Sequence, residues 1–261
     1  MVLGKYTTAA FASAMAVGLC GPAFAVPINL TTDGSSYTQG KVTFTAKDFA
    51  PTAGTGVINP FLTIQNNTIE EGYNSGLSNS GFEFDEKRSP GFTRALTFGN
   101  LVEDSGFYSL FGDWNEPNGG GKDTLSFLTF DIWADTDGQN NSFGTGAFTA
   151  DNLLFSLGTQ IDTVDFSGGS GQGDMEIKIE KSLFDGIAAD SFFMLHVVLG
   201  KNCTGSQPNL VCTGYASDGG FEEFATEVKT PLAPVPLPAA GWLLIAGLGG
   251  LAAVRRRKRP A

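Results

Sequence analysis

Short apolar and aromatic runs recur along the middle of the chain, separated by clusters of Gly, Asn, Asp and Ser. Several runs alternate between apolar and polar residues, which is the period of a β-strand with one buried face. No segment of the body keeps a helical period over any length. The pattern predicts about nine strands, at residues 41–49, 57–65, 92–102, 107–111, 124–133, 152–157, 175–180, 192–199 and 221–228.

Strands of this length and spacing predict an all-β fold over residues 26–230. An antiparallel β-sandwich or a jelly-roll arrangement satisfies the pattern. In the strand predicted at 124–133, we expect Leu128, Phe130 and Ile132 to share one face. These side chains would then belong to the core between two sheets.

The strand predicted at 175–180 has Ile177 and Ile179 on one face and charged residues on the other. A short helix is predicted directly after it, around residues 181–189, with Ser182 at the N-cap position. The glycine-rich stretches elsewhere in the body are too short to separate domains.

Residues 1–25 have the pattern of a secretory signal peptide. Lys5 precedes a short apolar run, and Ala23 and Ala25 form an A-x-A site, so cleavage is expected after Ala25. A transmembrane helix is the alternative, but the apolar run is short for one. Lipidation of Cys20 is a weaker alternative, because a leucine precedes it where a small residue is wanted.

The C-terminal region has three segments: a proline-rich linker at 231–238, an uncharged apolar run at 239–254 and a basic tail at 255–261. A helix over 239–254 would be about 24 Å long, close to the roughly 30 Å of a bilayer core. A soluble helix is disfavoured, because this run has no polar face. The basic cluster predicts a cytoplasmic tail and an external body; it consists of Arg255, Arg256, Arg257, Lys258 and Arg259.

The residues before the apolar run are Val235, Pro236, Leu237, Pro238 and Ala239. With the apolar run and the basic cluster, they resemble the VPLPA-CTERM variant of the PEP-CTERM protein-sorting signal. The resemblance covers only the C-terminal tail. It implies an exosortase-type membrane transpeptidase as a partner, which would read the motif and release or transfer the protein. It also implies a bacterium that makes extracellular polysaccharide, a second possible partner.

A second resemblance lies in the body, in GTGVINPFLTIQNNTIEEGYNS and the following FEFDEK. These segments are similar to exported bacterial β-domain proteins that occur with varied surface anchors. The resemblance implies a fold and a location, and it carries no activity.

Charge is unevenly distributed along the chain. Without Lys5 and the basic tail, the body has ten Lys and Arg residues against 27 Asp and Glu residues, a net charge of −17. Such a surface repels nucleic acid and anionic lipid, so we expect no nucleic-acid partner.

Two cysteines remain after removal of the signal peptide, Cys203 and Cys212. In an oxidising compartment this pair predicts one disulfide across a short loop. A metal site is the alternative, but it lacks partners, since His196 is the only histidine of the chain.

Candidate chemistry in the body is sparse. No G-x-S-x-G, H-E-x-x-H or P-loop motif is present. His196 lies in an apolar run, where we expect a structural residue rather than a catalytic one. Asp131, Asp135 and Asp137 supply oxygen ligands for a weak calcium site, although an ordinary Asp-Gly turn explains them more simply. We therefore expect no bound cofactor, with calcium as the alternative.

Two further sets of residues have a chemical interpretation. Paired carboxylates are the machinery of glycosidases, and the adjacent acidic residues are Glu70 with Glu71, Asp85 with Glu86, and Glu222 with Glu223. Aromatic faces can stack on sugars, and the candidates are Tyr108, Trp114 and Trp133, of which Trp114 is expected in a loop. In an acidic, aromatic-rich chain, both sets are also expected without any such function.

These observations predict a non-enzymatic exported protein. It would be anchored through its C-terminal helix with the body outside the cytoplasm, and would reach the cell surface or extracellular matrix after processing. The alternative is a carbohydrate- or calcium-binding β-sandwich, and a secreted hydrolase is the third possibility.

Overall fold

The computed structural model describes residues 26–49, 60–74, 84–87, 91–117, 123–138, 150–166, 173–204 and 211–227. In these parts of the chain the regular structure is β-strand and two 3-10 turns, which confirms the all-β prediction. In chain order the strands are β1 (Ile28–Leu30), β2 (Ser36–Gln39), β3 (Val42–Phe49), β4 (Pro60–Ile64), β5 (Ile69–Tyr73), β6 (Leu96–Thr97), β7 (Glu103–Asp104), β8 (Phe107–Asp113), β9 (Thr124–Asp135), β10 (Asn152–Ser156), β11 (Ile161–Val164), β12 (Gly173–Glu180), β13 (Phe192–Gly200), β14 (Asn202–Thr204), β15 (Val211–Thr213) and β16 (Glu222–Thr226).

The strands form two seven-stranded sheets and one separate hairpin. Sheet A has the order β1-β11-β9-β13-β5, with β10 paired to β9 and β6 paired to β13. Sheet B has the order β2-β3-β12-β8-β16-β4, with β7 paired to β8. Among the described strands, only β1 and β11 pair in parallel. The central strands of both sheets bring together segments that are far apart in the chain.

The two sheets pack face to face through aromatic side chains. Phe44 of β3 meets Phe130 of β9 edge to face, with 5.1 Å between ring centroids. Phe61 of β4 meets Phe193 of β13 at 6.0 Å in the same geometry. Each ring is fully buried, and burial of one such side chain stabilises the fold by about 1.5–3 kcal/mol. This aromatic layer is the core of the sandwich.

Strand β12 confirms the predicted alternation. Met175, Ile177 and Ile179 are buried, whereas Lys178 and Glu180 are exposed. The apolar residues face sheet A, and the charged residues face solvent.

Strand β9 contradicts part of the predicted pattern. Phe130 and Ile132 are in the core, but Leu128 is only half-buried, and Phe127 takes the core position instead. The register with β13 shifts here, because Val198 pairs with Thr129 whereas the next residue pairs with Phe127. This β-bulge inserts Leu128 as an extra residue, so the strict period of two is broken.

The other differences are local. The strand expected at 92–102 is only the short β6, followed by a 3-10 turn at Phe98–Asn100. The predicted helix is a 3-10 turn at Lys181–Phe184, in which Glu180 and not Ser182 occupies the N-cap position. The strands that were not predicted are β1, β2, β5, β7, β11, β14 and β15. Each has five residues or fewer, which is too short to show a clear alternation.

The hairpin of β14 and β15 carries the predicted disulfide. Cys203 and Cys212 are directly opposite each other in the register, and their sulfur atoms are bonded. The disulfide prediction is confirmed.

The targeting segments lie outside the described residues. This holds for the signal peptide with Ala23 and Ala25, for the sorting motif at 235–239, for the apolar run at 239–254 and for the basic cluster at 255–259. Within the described residues, no helix has the length and apolarity needed to cross a membrane.

The aromatic layer makes a testable prediction. Phe130 contacts the rings of Phe44, Phe127, Phe155 and Phe224, so Phe130→Ala leaves a cavity between the sheets. We expect a loss of about 3–5 kcal/mol in the free energy of unfolding, measured by denaturant titration of the purified protein.

The matched control is Leu153→Ala, because the side chain of Leu153 is 46% exposed. This variant should change the free energy of unfolding by less than about 0.5 kcal/mol. Equal losses in the two variants would contradict the assignment of the core.

Candidate functional site

His196 lies between two carboxylates on the face of sheet A that points away from sheet B. Its Nε2 is 2.9 Å from Glu71 Oε1, and its Nδ1 is 3.7 Å from Asp131 Oδ2. Burial lowers the pKa of His196, but Asp131 and Glu71 outweigh burial and raise this pKa above its ordinary value. The imidazole of His196 in β13 thus bridges a carboxylate of β5 and a carboxylate of β9 and stabilises the pairing of these strands. This is in keeping with the structural role expected from the sequence.

The weak calcium candidates have other partners in the structure. Asp131 faces His196, and Asp135 Oδ1 accepts the N–H groups of Asp137 and Gly138, each at 2.9 Å. This is the hydrogen bonding of an Asx turn that ends a strand. Among the described residues, no group of three or more His, Cys, Asp or Glu side chains has the arrangement of a metal site.

Trp114 lies in the connecting segment directly after β8, as expected, but it is closed to solvent. Its side chain is fully buried and packs against Phe127 and Phe224, with centroid distances of 5.3 and 5.4 Å. Its indole N–H lies 3.3 Å from Thr163 Oγ1. Tyr108, a second candidate, is half-buried against Phe184. Trp114 is therefore closed to a sugar ring.

The acidic pairs divide in the same way. Glu70, Glu86 and Glu222 point inward and are at most 5% exposed, whereas their neighbours Glu71, Asp85 and Glu223 are half-buried. Adjacent residues of the strands β5 and β16 face opposite sides, and of Asp85 and Glu86, which lie outside the named strands, only Glu86 is buried. No pair therefore acts as two neighbouring carboxyl groups.

The inward members of two of these pairs join four other acids at one end of the sandwich. We call this group the carboxylate cluster. Its six side chains come from both sheets and from the segments that follow them, and each is no more than 4% exposed. They are Glu70, Asp113, Glu116, Asp165, Asp174 and Glu222.

The cluster is organised around the backbone that follows β8. The N–H of Trp114 donates to Asp174 Oδ2 at 2.8 Å, and the N–H of Asn115 donates to Glu222 Oε2 at 2.9 Å. The N–H of Glu116 donates to Asp165 Oδ2 at 3.1 Å. Three successive backbone donors are thus satisfied by three carboxylates from different parts of the chain. Buried N–H groups require such partners.

Glu116 connects the segment after β8 to the loop before β16. Its Oε1 accepts the hydroxyl proton of Ser217, and its Oε2 accepts the N–H of Asp218, each at 3.0 Å. The N–H of Gly220 donates to the carbonyl of Asn115 at 2.6 Å. The loop before β16 is therefore fastened to the segment after β8 by both backbone and side-chain bonds.

Glu70 enters the cluster from sheet A. Its Oε1 accepts the N–H of Asn66 at 2.8 Å. Nearby Thr68 adopts a φ of 77°, a left-handed conformation that is unusual for a β-branched residue. The backbone of Thr68 is held by hydrogen bonds to Ser217 and Lys201. These bonds tie the start of β5 to the loop that carries Ser217.

Burial raises the pKa values of several carboxyl groups in the cluster. Burial raises the pKa of Glu70 to about 7, against the N–H of Asn66, and the charge of Glu116 adds to the rise. Burial also raises the pKa of Asp174 to about 8, against the N–H groups of Trp114 and Phe166. For Glu222, burial and then the charges of Glu70 and Glu116 raise the pKa well above its ordinary value. The main physical cause is the loss of hydration of the charged form on burial, and neighbouring like charges add to it.

Sequence reasoning noticed Glu70 and Glu222 only as members of acidic pairs, and it missed the other four acids. The available clue was position: Asp113, Asp165, Asp174 and Glu222 all lie within or beside short apolar strands, where a carboxylate needs a partner. Nothing in the sequence showed that these strand ends meet.

No protein-family model matches the chain, and no curated protein and no solved structure is significantly similar to it. The functional argument therefore depends on the residues themselves.

Glu86, a buried carboxylate outside the cluster, provides a pH test. Glu86 accepts the N–H groups of Tyr73 and Phe84, and burial raises its pKa to about 7 against these bonds. The folded state keeps a proton that the unfolded state loses near pH 4.5. This contribution to stability is complete below the unfolded pKa and is lost as the pH rises through about 7.

Across this pH interval the free energy of unfolding should therefore fall less in Glu86→Gln than in the parent protein. The difference should be on the order of 3 kcal/mol. Denaturant titrations at a series of pH values measure the slope. The control is Glu227→Gln at an exposed position, which should leave the slope as in the parent. A Glu86→Gln slope equal to that of the parent would refute the assignment.

Proposed function

We propose that this chain is an exported bacterial protein of the cell surface or extracellular matrix, in which a β-sandwich serves as a structural or interaction module. The observation that supports export most directly is the disulfide between Cys203 and Cys212. Disulfides form and persist in oxidising compartments and are rare in the cytosol.

The ends of the sequence supply the route for export. A signal peptide at 1–25 would start translocation, and the apolar run at 239–254 would stop it, with the basic cluster left in the cytoplasm. Both segments place the acidic body outside the cytoplasm. The motif at 235–239 resembles a VPLPA-CTERM signal, so an exosortase-type transpeptidase is the proposed processing partner.

The described residues support a non-enzymatic role. A glycosidase needs two carboxyl groups that reach a substrate, and Glu70 and Glu222 are fully buried. A histidine-dependent hydrolase needs a free imidazole face, and His196 is buried and faces two acids. Glu70, Glu222 and His196 each make contacts that stabilise the sandwich.

The proposed module is a jelly-roll-like sandwich with strongly acidic outer faces. Such a surface favours cationic or hydrated polar partners, and extracellular polysaccharide is a candidate. The alternative of sugar stacking on Trp114 has lost its support, because that ring is in the core. Trp133, the remaining aromatic candidate, is half-buried in β9, and sugar stacking there stays the alternative proposal.

The processing route predicts the mass of the mature protein. Intact-mass analysis of protein from the envelope and the medium should show loss of residues 1–25 and a mass lower by two hydrogen atoms for the disulfide. The C-terminus should lie near residues 235–239. A mature chain that retains residues 1–25 would contradict export by this signal.

The sorting motif gives a separate prediction. Replacement of Pro236 and Pro238 by Ala removes the extended conformation that proline imposes on the peptide. We expect the uncut precursor to accumulate in the membrane fraction, detected by immunoblot. The matched control replaces Pro231 and Pro234, which precede the motif, and should be processed as the parent is. Equal processing of both variants would exclude the motif as the recognition element.

A further inference from the structure

The carboxylate cluster contains acceptors that no described residue satisfies. Glu222 Oε2 accepts the N–H of Asn115, but Oε1 of the same residue is buried without a hydrogen-bond partner. Glu70 shows the same pattern, with Oε1 bonded to Asn66 and Oε2 buried and unpartnered. Both side chains are fully buried. An unsatisfied buried carboxylate oxygen costs several kcal/mol, so a native structure needs a further partner for it.

The two unsatisfied side chains belong to one site. Glu222 shares the inward face of β16 with the core residue Phe224, and Glu70 points inward from β5 of the other sheet. Glu222 accepts the N–H of Asn115, which precedes Glu116 in the chain, and Ser217 donates to Glu116 and accepts the N–H of Thr68, two residues before Glu70. Three acidic side chains from three segments thus meet in one water-free region.

The described residues offer no positive group to this region. In the described parts of the chain, no ion pair joins Glu70, Glu116 or Glu222 to a lysine, arginine or histidine. The Ser217 hydroxyl lies beside both Glu70 and Glu116 and donates to Glu116 Oε1 at 3.0 Å, and its single proton cannot satisfy both carboxyl groups. Like charges of this kind require protons or a cation between them.

We propose that the carboxylate cluster is a structural binding site for one calcium ion, held by Glu70 and Glu222. Calcium accepts carboxylate, backbone carbonyl and water oxygens in irregular geometry. Such a ligand set is consistent with the finding that, among the described residues, no three acidic or histidine side chains form a metal group. The site is separate from Asp131, Asp135 and Asp137, and it does not depend on the proposed surface role.

A calcium ion here would connect the two sheets. Glu70 is on sheet A and Glu222 on sheet B, and the loop containing Ser217 links them through Thr68 and Glu116. The ion would therefore stabilise the folded state, and it would have no equivalent site in the unfolded chain. Its effect should appear as calcium-dependent stability.

The experiment uses the full-length chain, purified in detergent, stripped with EDTA and returned to metal-free buffer at neutral pH. Calorimetric titration with calcium chloride should show saturable binding of one ion per chain. Differential scanning calorimetry should show the Tm rising by roughly 5–10 °C at saturating calcium. Glu222→Gln should abolish both responses.

The matched control is Glu223→Gln, at the next residue, where the half-buried carboxylate lies 3.4 Å from the Thr63 hydroxyl. It should keep the full calcium response. If Glu222→Gln does not fold, Glu70→Gln replaces it, and the titration of the parent protein decides by itself whether calcium binds.

Three outcomes would overturn the proposal. The first is a parent protein with no heat of binding and no change in Tm, in which protons alone neutralise the cluster. The second is an equal rise in Tm with sodium at matched ionic strength, which is charge screening without a site. The third is a calcium response that survives Glu222→Gln and Glu70→Gln unchanged.

Discussion

The structure depends on the capture of three successive backbone N–H groups, those of Trp114, Asn115 and Glu116, by buried carboxylates. Strand β8 ends at Asp113, and the chain then turns into the end of the sandwich, where none of the described strands accepts these donors. Asp174, Glu222 and Asp165 take the place of the missing strand. A backbone segment that would otherwise be unsatisfied can therefore be buried.

Capture of this segment fixes the core beside it. With its backbone held by Asp174, Trp114 projects its ring between the sheets onto Phe127 and Phe224. Gly112 is required by this arrangement, because a Cβ atom there would overlap the indole. Gly219 has the same role on the other side, where a Cβ atom would collide with the backbone of Asn115. The carboxylate hydrogen bonds and the aromatic contacts of Trp114 at this end of the sandwich therefore depend on each other.

The unfavourable consequence of this arrangement is that negatively charged side chains are concentrated in one buried region. The sandwich gains hydrogen bonds to charged acceptors, which are stronger than neutral ones, but it places Glu70, Glu116 and Glu222 together out of water. On the outer face of sheet A the same difficulty is solved differently, since Glu71 and Asp131 have His196 between them. The inner cluster has no such side chain in the described structure, and this contrast is the physical basis for placing a cation there.

The sequence by itself determined what depends on local period or on short spacing. The alternation of Ile177 and Ile179 with charged residues located β12 and its buried face, and the spacing of Cys203 and Cys212 located the disulfide. Leu128 was misplaced, because a bulge against β13 breaks the period without any local mark. The carboxylate cluster and the burial of Trp114 were decided only by tertiary structure. Their bonds join residues 60 and 107 positions apart, and such pairings follow from how the strands order themselves in two sheets, which no local pattern contains.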